Sequence, residues 1–350
     1  MRHVIALVVL LGVAQVASPQ WTVETSGVNV TLRGVSAASD TIVWVSGSRA
    51  TVFHTTDAGQ TWKPMPVPDV PATTDFRDVD AVGPDAAYLL AIGNGEASRI
   101  YKTVDGGAHW DAQFLNKDPD VFLDAMTFAD ANHGVVIGDS IDGQFFIMKT
   151  DDGKTWARIP PDVLPPALPN EGAFAASGTN IAYLGSDVWI GTGASTISRV
   201  LHSADRGKTW TVANTPIPAN ASSGIFSIAF RDAKHGVVVG GDYRKEAEAV
   251  DNLATTSDGG KTWTLAKEHA LSGFRSVVAY MPHAKTATLI AIGPQGADLS
   301  TDDGMTWVPF GTEGFHTFSF APSGAMGWGA GNRGKIGRLL FSAEPPVVNR

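Results

Sequence analysis

Six short stretches of this chain read alike, and their spacing restricts the fold more than any other feature. They are TTDAGQTW ending at Trp62, TVDGGAHW at Trp110, KTDDGKTW at Trp156, SADRGKTW at Trp210, TSDGGKTW at Trp263 and STDDGMTW at Trp307. The shared pattern is Ser/Thr-x-Asp-x-Gly-x-Thr-Trp, with His109 in the Thr place of the second copy and Lys149 in the Ser/Thr place of the third. The tryptophans stand 48, 46, 54, 53 and 44 residues apart. A period of this length marks a repeat architecture, in which each unit buries its apolar face against the next.

Each place in the pattern has a physical job. The carboxylates of Asp57, Asp105, Asp151, Asp205, Asp258 and Asp302 can accept from the N–H groups of their own turn. The Gly two places on supplies a positive φ that other residues resist. The Trp then opens the next strand and presents a large apolar face to the neighbouring unit. The repeat is therefore a self-bracing β-hairpin. Composition agrees, because Gly 38, Pro 20 and Trp 10 among 350 residues favour short strands and tight turns. Hydrophobic residues at 43 % against charged residues at 17 % support a large core and exclude disorder. There is no Cys, which rules out disulfides, thiolate metal sites and a Cys nucleophile. With 26 Lys+Arg against 35 Asp+Glu the net charge is −9, so no nucleic-acid partner is expected.

The repeated stretches resemble the Asp-box, or bacterial neuraminidase repeat, of sialidases, sortilin-type receptors and the photosystem II assembly and stability factor propellers. Ahead of most copies runs a second element: HGVVIGD at residues 133–139, HGVVVGGD at 235–242, WVSG at 44–47 and GWGAG at 327–331. The order of this element, a turn, a strand and the box is most similar to the photosystem assembly-factor propellers. That resemblance covers roughly residues 21–341. It implies an all-β propeller and a structural, non-catalytic role for the boxes.

A further column counts the blades. LRGVSAAS from Leu32, FRDVDAVG from Phe76, FLDAMTFA from Phe122, AFAAS from Ala173, IFSIAF from Ile225, FRSVVAY from Phe274 and FHTFSF from Phe315 read as seven innermost strands. The last unit lacks a fourth strand, while residues 21–24 look like an orphan one. The expectation is a single seven-bladed β-propeller over residues 21–341, closed by its N-terminal strand so that no sheet edge is left open. Residues 342–350 read as a C-terminal tail.

Residues 1–17 read as an export signal. Arg2 and His3 give a basic start, residues 4–13 an apolar run, and cleavage after Ala14 or Ala17 is possible. The run is too short to span a bilayer, and no later segment could do so. The mature chain is expected in the periplasm or outside the cell, as a monomer without a membrane span.

In such a blade the head of the innermost strand and the loop between strands two and three open on one face, and the box hairpin lies on the other. The second place of the innermost-strand column reads Arg33, Arg77, Leu123, Phe174, Phe226, Arg275 and His316, and the third includes Asp78 and Asp124. Three Arg and one His at one channel mouth would form an anion site, since guanidinium presents a fork matched to carboxylate or phosphate. Alternatively, the arginines pair with Asp78, Asp124 and Glu171 and only satisfy the channel. Loops on this face add Asp139, Asp142, Asp242, Tyr243, Arg244, Lys245, Asn332, Arg333 and, in a long Pro-rich loop, Glu171.

Three motifs are set aside. Gly329 to Gly334 matches GxGxxG, but no helix or ribose-binding acid can follow it. Arg158-Ile159-Pro160 repeats a sialidase tripeptide in the wrong place, after the third box. Two glycosylation acceptors, at Asn29 and Asn220, matter only in a eukaryotic secretory host. The nine histidines show no metal-ligand spacing, so neither metal nor cofactor is expected. Two functions remain open: a non-catalytic scaffold binding a protein segment or acidic ligand on the top face, and a sialidase-like glycoside hydrolase. In the second, Tyr243 with Glu246 would be the nucleophile pair and Asp78 or Asp124 the acid. Structural packing within an envelope complex is not separable from the first by sequence.

Overall fold

A computed structural model describes residues 20–266 and 271–341; the segments expected as export signal and C-terminal tail lie outside the described residues. These form twenty-eight strands in seven four-stranded antiparallel sheets. Six sheets are meanders of consecutive strands. The seventh takes Gln20–Thr25 as its outer strand, paired in register with Lys335–Leu340, Trp21 lying opposite Leu339. The chain is thus one seven-bladed propeller closed by its N-terminal strand.

The second strand of each blade is covered on both faces, so it reads as an apolar run without alternation, as in Val43–Gly47 and Leu289–Gly293. A large side chain on it packs beneath the repeat turn of the next blade. Trp44 meets Gly107 and Trp328 meets Gly59. The Tyr88 hydroxyl donates to the Gly153 carbonyl at 2.7 Å, and Trp189 Nε1 to that of Gly259 at 2.9 Å. The repeat tryptophans seal the same seams: Trp110 stands edge-on to Trp44 at 5.8 Å and Trp156 to Tyr88 at 6.5 Å. Edge-on aromatic pairs of this kind contribute roughly 0.5–1.5 kcal/mol beyond the area they bury.

The turns brace themselves as the residue types require. Thr55 Oγ1 donates to Asp57 at 2.7 Å and accepts from Gly59 N–H at 3.0 Å, while Thr61 donates to Asp57 from N at 2.9 Å and from Oγ1 at 2.6 Å. In the second copy His109 Nδ1 takes the hydroxyl's place, 2.6 Å from Asp105. The third copy corrects the sequence alignment: Asp152, not Asp151, is the brace. Thr150 donates to it at 3.1 Å and Thr155 N–H at 2.8 Å, and Asp151 turns out to Lys149 at 2.9 Å. The hydroxyl must stand two residues before the carboxylate, and with Lys149 in its usual place only Thr150 can serve. The turn contracts by one residue to use it.

Blade 4 also departs from expectation. Residues 173–177 form no ladder, and its innermost strand is Ile181–Leu184, joined by a tight turn to Asp187–Gly191.

Candidate functional site

The heads of the innermost strands meet at one end of the ring axis, and their register decides which side chains face it. In blades 1, 2, 3 and 5 the ladder breaks at Leu32/Gly34, Phe76/Asp78, Leu123/Ala125 and Ile225/Ser227. Each break inserts one extra residue, a β-bulge that re-aims its side chain. Those residues are Arg33, Arg77, Asp124 and Phe226, so blade 3 places Asp124 where Leu123 was expected.

Blade 6 differs in the same way. Arg275 N–H donates to the Gly240 carbonyl as Leu32 does to Gly331 and Phe315 to Gly293, which leaves Ser276 in the place His316 holds in blade 7. Arg275 therefore stands one residue too early to reach the mouth. Its side chain is 1 % exposed, with Nε 2.7 Å from Asp298 Oδ2, Nη2 2.6 Å from Ser272 Oγ and Nη1 2.9 Å from the Phe274 carbonyl. The expected three-arginine cluster is not assembled.

The segment before blade 4's first strand crosses the axis and stops the channel. Arg77 Nη1 donates to the Ala175 carbonyl at 2.5 Å, and Arg33 Nη1 to that of Ala176 at 3.4 Å. Ser177 Oγ donates to the Ser276 carbonyl at 2.7 Å and its own carbonyl accepts from Thr317 at 3.1 Å, while Thr179 Oγ1 meets Ser227 at 2.7 Å. One short stretch thus touches blades 1, 2, 5, 6 and 7. At Gly178, with φ +76°, a Cβ would fall 2.2 Å from the Asp78 carboxyl, so only glycine lets the stretch pass.

Above this floor lies a cavity of about 270 Å³. One wall carries Arg33, Arg77 and His316; the other carries Phe174, Phe226, Phe274 and Tyr243, with Glu246, Ser276 and Pro294 completing the lining. Phe174 stacks on Phe226 with centroids 4.1 Å apart, and Phe274 meets Phe226 edge-on at 4.7 Å. The two arginines are not equivalent. Arg77 spends Nε and Nη2 on Asp75 at 3.1 and 3.0 Å. Arg33 Nε and His316 Nε2 are buried with no hydrogen-bond partner among the described residues. Burial and the neighbouring Arg77 charge pull the Arg33 pKa down to about 10, so it stays cationic at neutral pH. Burial, helped by Arg33, brings His316 to about 4, so its ring is neutral.

The remaining candidates are placed elsewhere. Asp78 is buried between blades, where its Oδ2 accepts from Met126 N–H at 3.0 Å and burial lifts its pKa to about 8. Asp124 is 3 % exposed; burial and then the Asp139 charge raise it well above the carboxylate range. Glu171 is sealed against Arg199, which reaches it through Nε at 2.9 Å and through Nη2, while Thr192 Oγ1 donates at 2.6 Å. That pair anchors the Pro-rich loop, since Arg199 Nη2 also holds the Pro166 carbonyl at 2.8 Å. Asp242 caps the Arg244 N–H at 2.9 Å, and the Arg244 guanidinium lies 5.6 Å from the Tyr243 ring centre. None of Asp78, Asp124 and Glu171 makes an ion pair with Arg33, Arg77 or Arg275. Glu246 shares the cavity with Tyr243, but its Oε2 is held by Gln295 at 2.8 Å.

Phe274, Ser276 and the two floor carbonyls were missed from sequence. A signal for the register did exist. The glycine at the end of the second strand, Gly47, Gly138, Gly240 or Gly293, lies against the Cα of Leu32, Leu123, Ile225 or Arg275. Counting back from that glycine as from Gly47 to Arg33 puts Asp124 at the mouth, but in blade 6 the longer connection leaves the same count short of Ser276. Among the described residues no group of His, Asp and Glu is placed to hold a metal ion, and no helix is long and apolar enough to cross a membrane.

Comparison with known proteins places this geometry. Residues 16–118 match the family described as photosynthesis system II assembly factor YCF48. No curated protein sequence matches the chain. Among solved structures, YCF48 bound to a D1 peptide superposes with a TM-score of 0.64 at 19 % identity, covering 92 % of this chain and 97 % of that one. YCF48 from Cyanidioschyzon merolae gives 0.62 at 18 %, covering 93 % and 99 %. A GH74 xyloglucanase from Xanthomonas campestris gives 0.59 at 15 %, covering 91 % of this chain and 53 % of that one. The chain is accordingly a seven-bladed propeller similar to the YCF48-type photosystem II assembly factors, in sequence over residues 16–118 and in fold over nearly its whole length.

Proposed function

We propose that the protein is an exported, non-catalytic binding and assembly scaffold that holds a segment of a protein partner in the top-face cavity. In this reading it acts as a monomer in the periplasm or outside the cell. The observation that carries it is the division of the cavity into a cationic wall and an aromatic wall over a closed floor. Such a surface binds a side chain and a charge together. The similarity to a propeller solved with a peptide bound supports it. The Ser276 hydroxyl donates to the His316 carbonyl at 2.8 Å and is not directed at a base, which favours binding over acyl chemistry.

Site-directed photocrosslinking in the producing cell tests the proposal. A benzophenone side chain at Tyr243 should capture a discrete partner. The same group at Met305, an exposed residue on a repeat turn, should not. Capture at Met305 alone would move the interaction to the opposite face and refute the assignment.

A further inference from the structure

The cavity's unfilled hydrogen-bonding capacity defines the ligand more closely. This step rests on the reading of the cavity as the binding site. Arg77 already has a carboxylate, Asp75, on its Nε and Nη2, and its Nη1 is held by the floor. Arg33 makes no ion pair among the described residues, the charges of Asp75 and Glu246 acting on it only from farther off, and its one carbonyl contact is 3.4 Å long. His316 adds a second donor. Its Nε2 is buried with no hydrogen-bond partner among the described residues. With its proton on Nε2 the neutral ring of this cavity-lining residue offers that nitrogen as a donor.

Two partnerless N–H groups on one wall, one on a cation and one neutral, match a single carboxylate. They do not match a dianion, which would need a second unpaired cation. Opposite them the rings of Phe174, Phe226 and Phe274 form an apolar half that suits a flat or branched side chain. The plug makes the cavity blind, so a chain cannot thread it, and about 270 Å³ is below the roughly 300–1,000 Å³ of drug-sized ligand pockets. We infer that the cavity recognises one carboxylate borne beside an aromatic or large apolar side chain of a peptide, taking the carboxylate on Arg33 and His316 and the side chain against the phenylalanines. Two sources share this chemistry: a C-terminal residue, and an internal Asp or Glu next to an aromatic residue.

Fluorescence anisotropy with four labelled peptides tests this on the intact protein. One ends Gly-Ser-Gly-Phe as the free acid, the second is its C-terminal amide, and the third ends Gly-Ser-Gly-Ser as the free acid. The fourth carries Glu-Phe internally and is amidated. The acid should bind roughly tenfold to hundredfold more tightly than its amide, the cost of one charged hydrogen-bonded contact. The Ser-ending acid should bind more weakly than the Phe-ending one. Strong binding of the fourth peptide assigns the carboxylate to a side chain, and weak binding assigns it to a chain end. Arg33→Gln and His316→Phe, checked for unchanged melting, should each erase the acid–amide difference. Equal, tight binding of acid and amide would overturn the carboxylate inference while leaving a peptide-binding face intact. Failure of all four at millimolar concentration would overturn it too, and crosslinking at Tyr243 then judges the scaffold reading separately.

Discussion

Ring closure in this propeller depends on a strand whose only inward side chain is Trp21. Of the six residues in Gln20–Thr25, Trp21 alone is partly buried. Its ring lies 4.4 Å from Phe315 and 6.0 Å from Phe318, within the apolar cluster that contains Leu339. Replacing it with Ala removes on the order of 150 Å² of apolar contact, about 4 kcal/mol at 25 cal/mol per Å². Large-to-small core changes reach about 3–5 kcal/mol where the site cannot collapse. An edge strand can settle inward, so about 3 kcal/mol is expected. Trp21 Nε1 has no hydrogen-bond partner among the described residues, so no polar penalty is added. For a chain of this length that corresponds to a melting temperature lower by about 4–5 °C. The control is Thr22→Ala on the exposed face of the same strand, with an expected effect below about 0.5 kcal/mol. Thermal melts by tryptophan fluorescence and limited proteolysis near residue 20 give the two readouts. If Trp21→Ala melts within 1 °C of Thr22→Ala, the strand does not hold the ring and the reasoning fails.

Other consequences follow from the same contacts. Asp78 is neutral in the folded state up to about pH 8 but ionises near 4 when unfolded. Its contribution is present below pH 4 and is lost as pH rises through 8, so Asp78→Asn should melt less steeply than wild type between pH 5 and 9. Asp258 has the opposite sign: hydrogen bonds from Thr262 hold it near 2. Its contribution is present above pH 4 and fades as pH falls toward 2, and a stability profile of Asp258→Asn over that range should be flatter. Asp152→Ala should destabilise the third repeat turn while Asp151→Ala does not, by the hydrogen-bond pattern; comparable melts of the two variants would contradict the contracted turn. Glu171→Ala leaves Arg199 buried without its partner and should cost about 3–5 kcal/mol in chemical denaturation.

The repeat hairpins, the blade count and the closing strand were all legible in the sequence. Each depends on contacts within one unit or between neighbours, and six copies of a turn with a stated hydrogen-bond pattern leave little freedom. The candidate site was legible only in part. Arg33, Arg77, Tyr243 and His316 all line one cavity, but Arg275 and the Leu123 position were each off by one residue. A bulge adds a residue without changing composition, and in a strand one residue exchanges the two faces. Arg275 found its partner in Asp298, 23 residues on, a distance that no local pattern encodes. The plug is the clearest decision of the tertiary structure. Residues 173–177 resemble the other strand heads in composition, yet they lie across the axis because five other blades supply donors, acceptors and space there. Local periodicity determined the propeller; long-range hydrogen bonds at its centre decided that the channel ends in a closed, two-faced cavity.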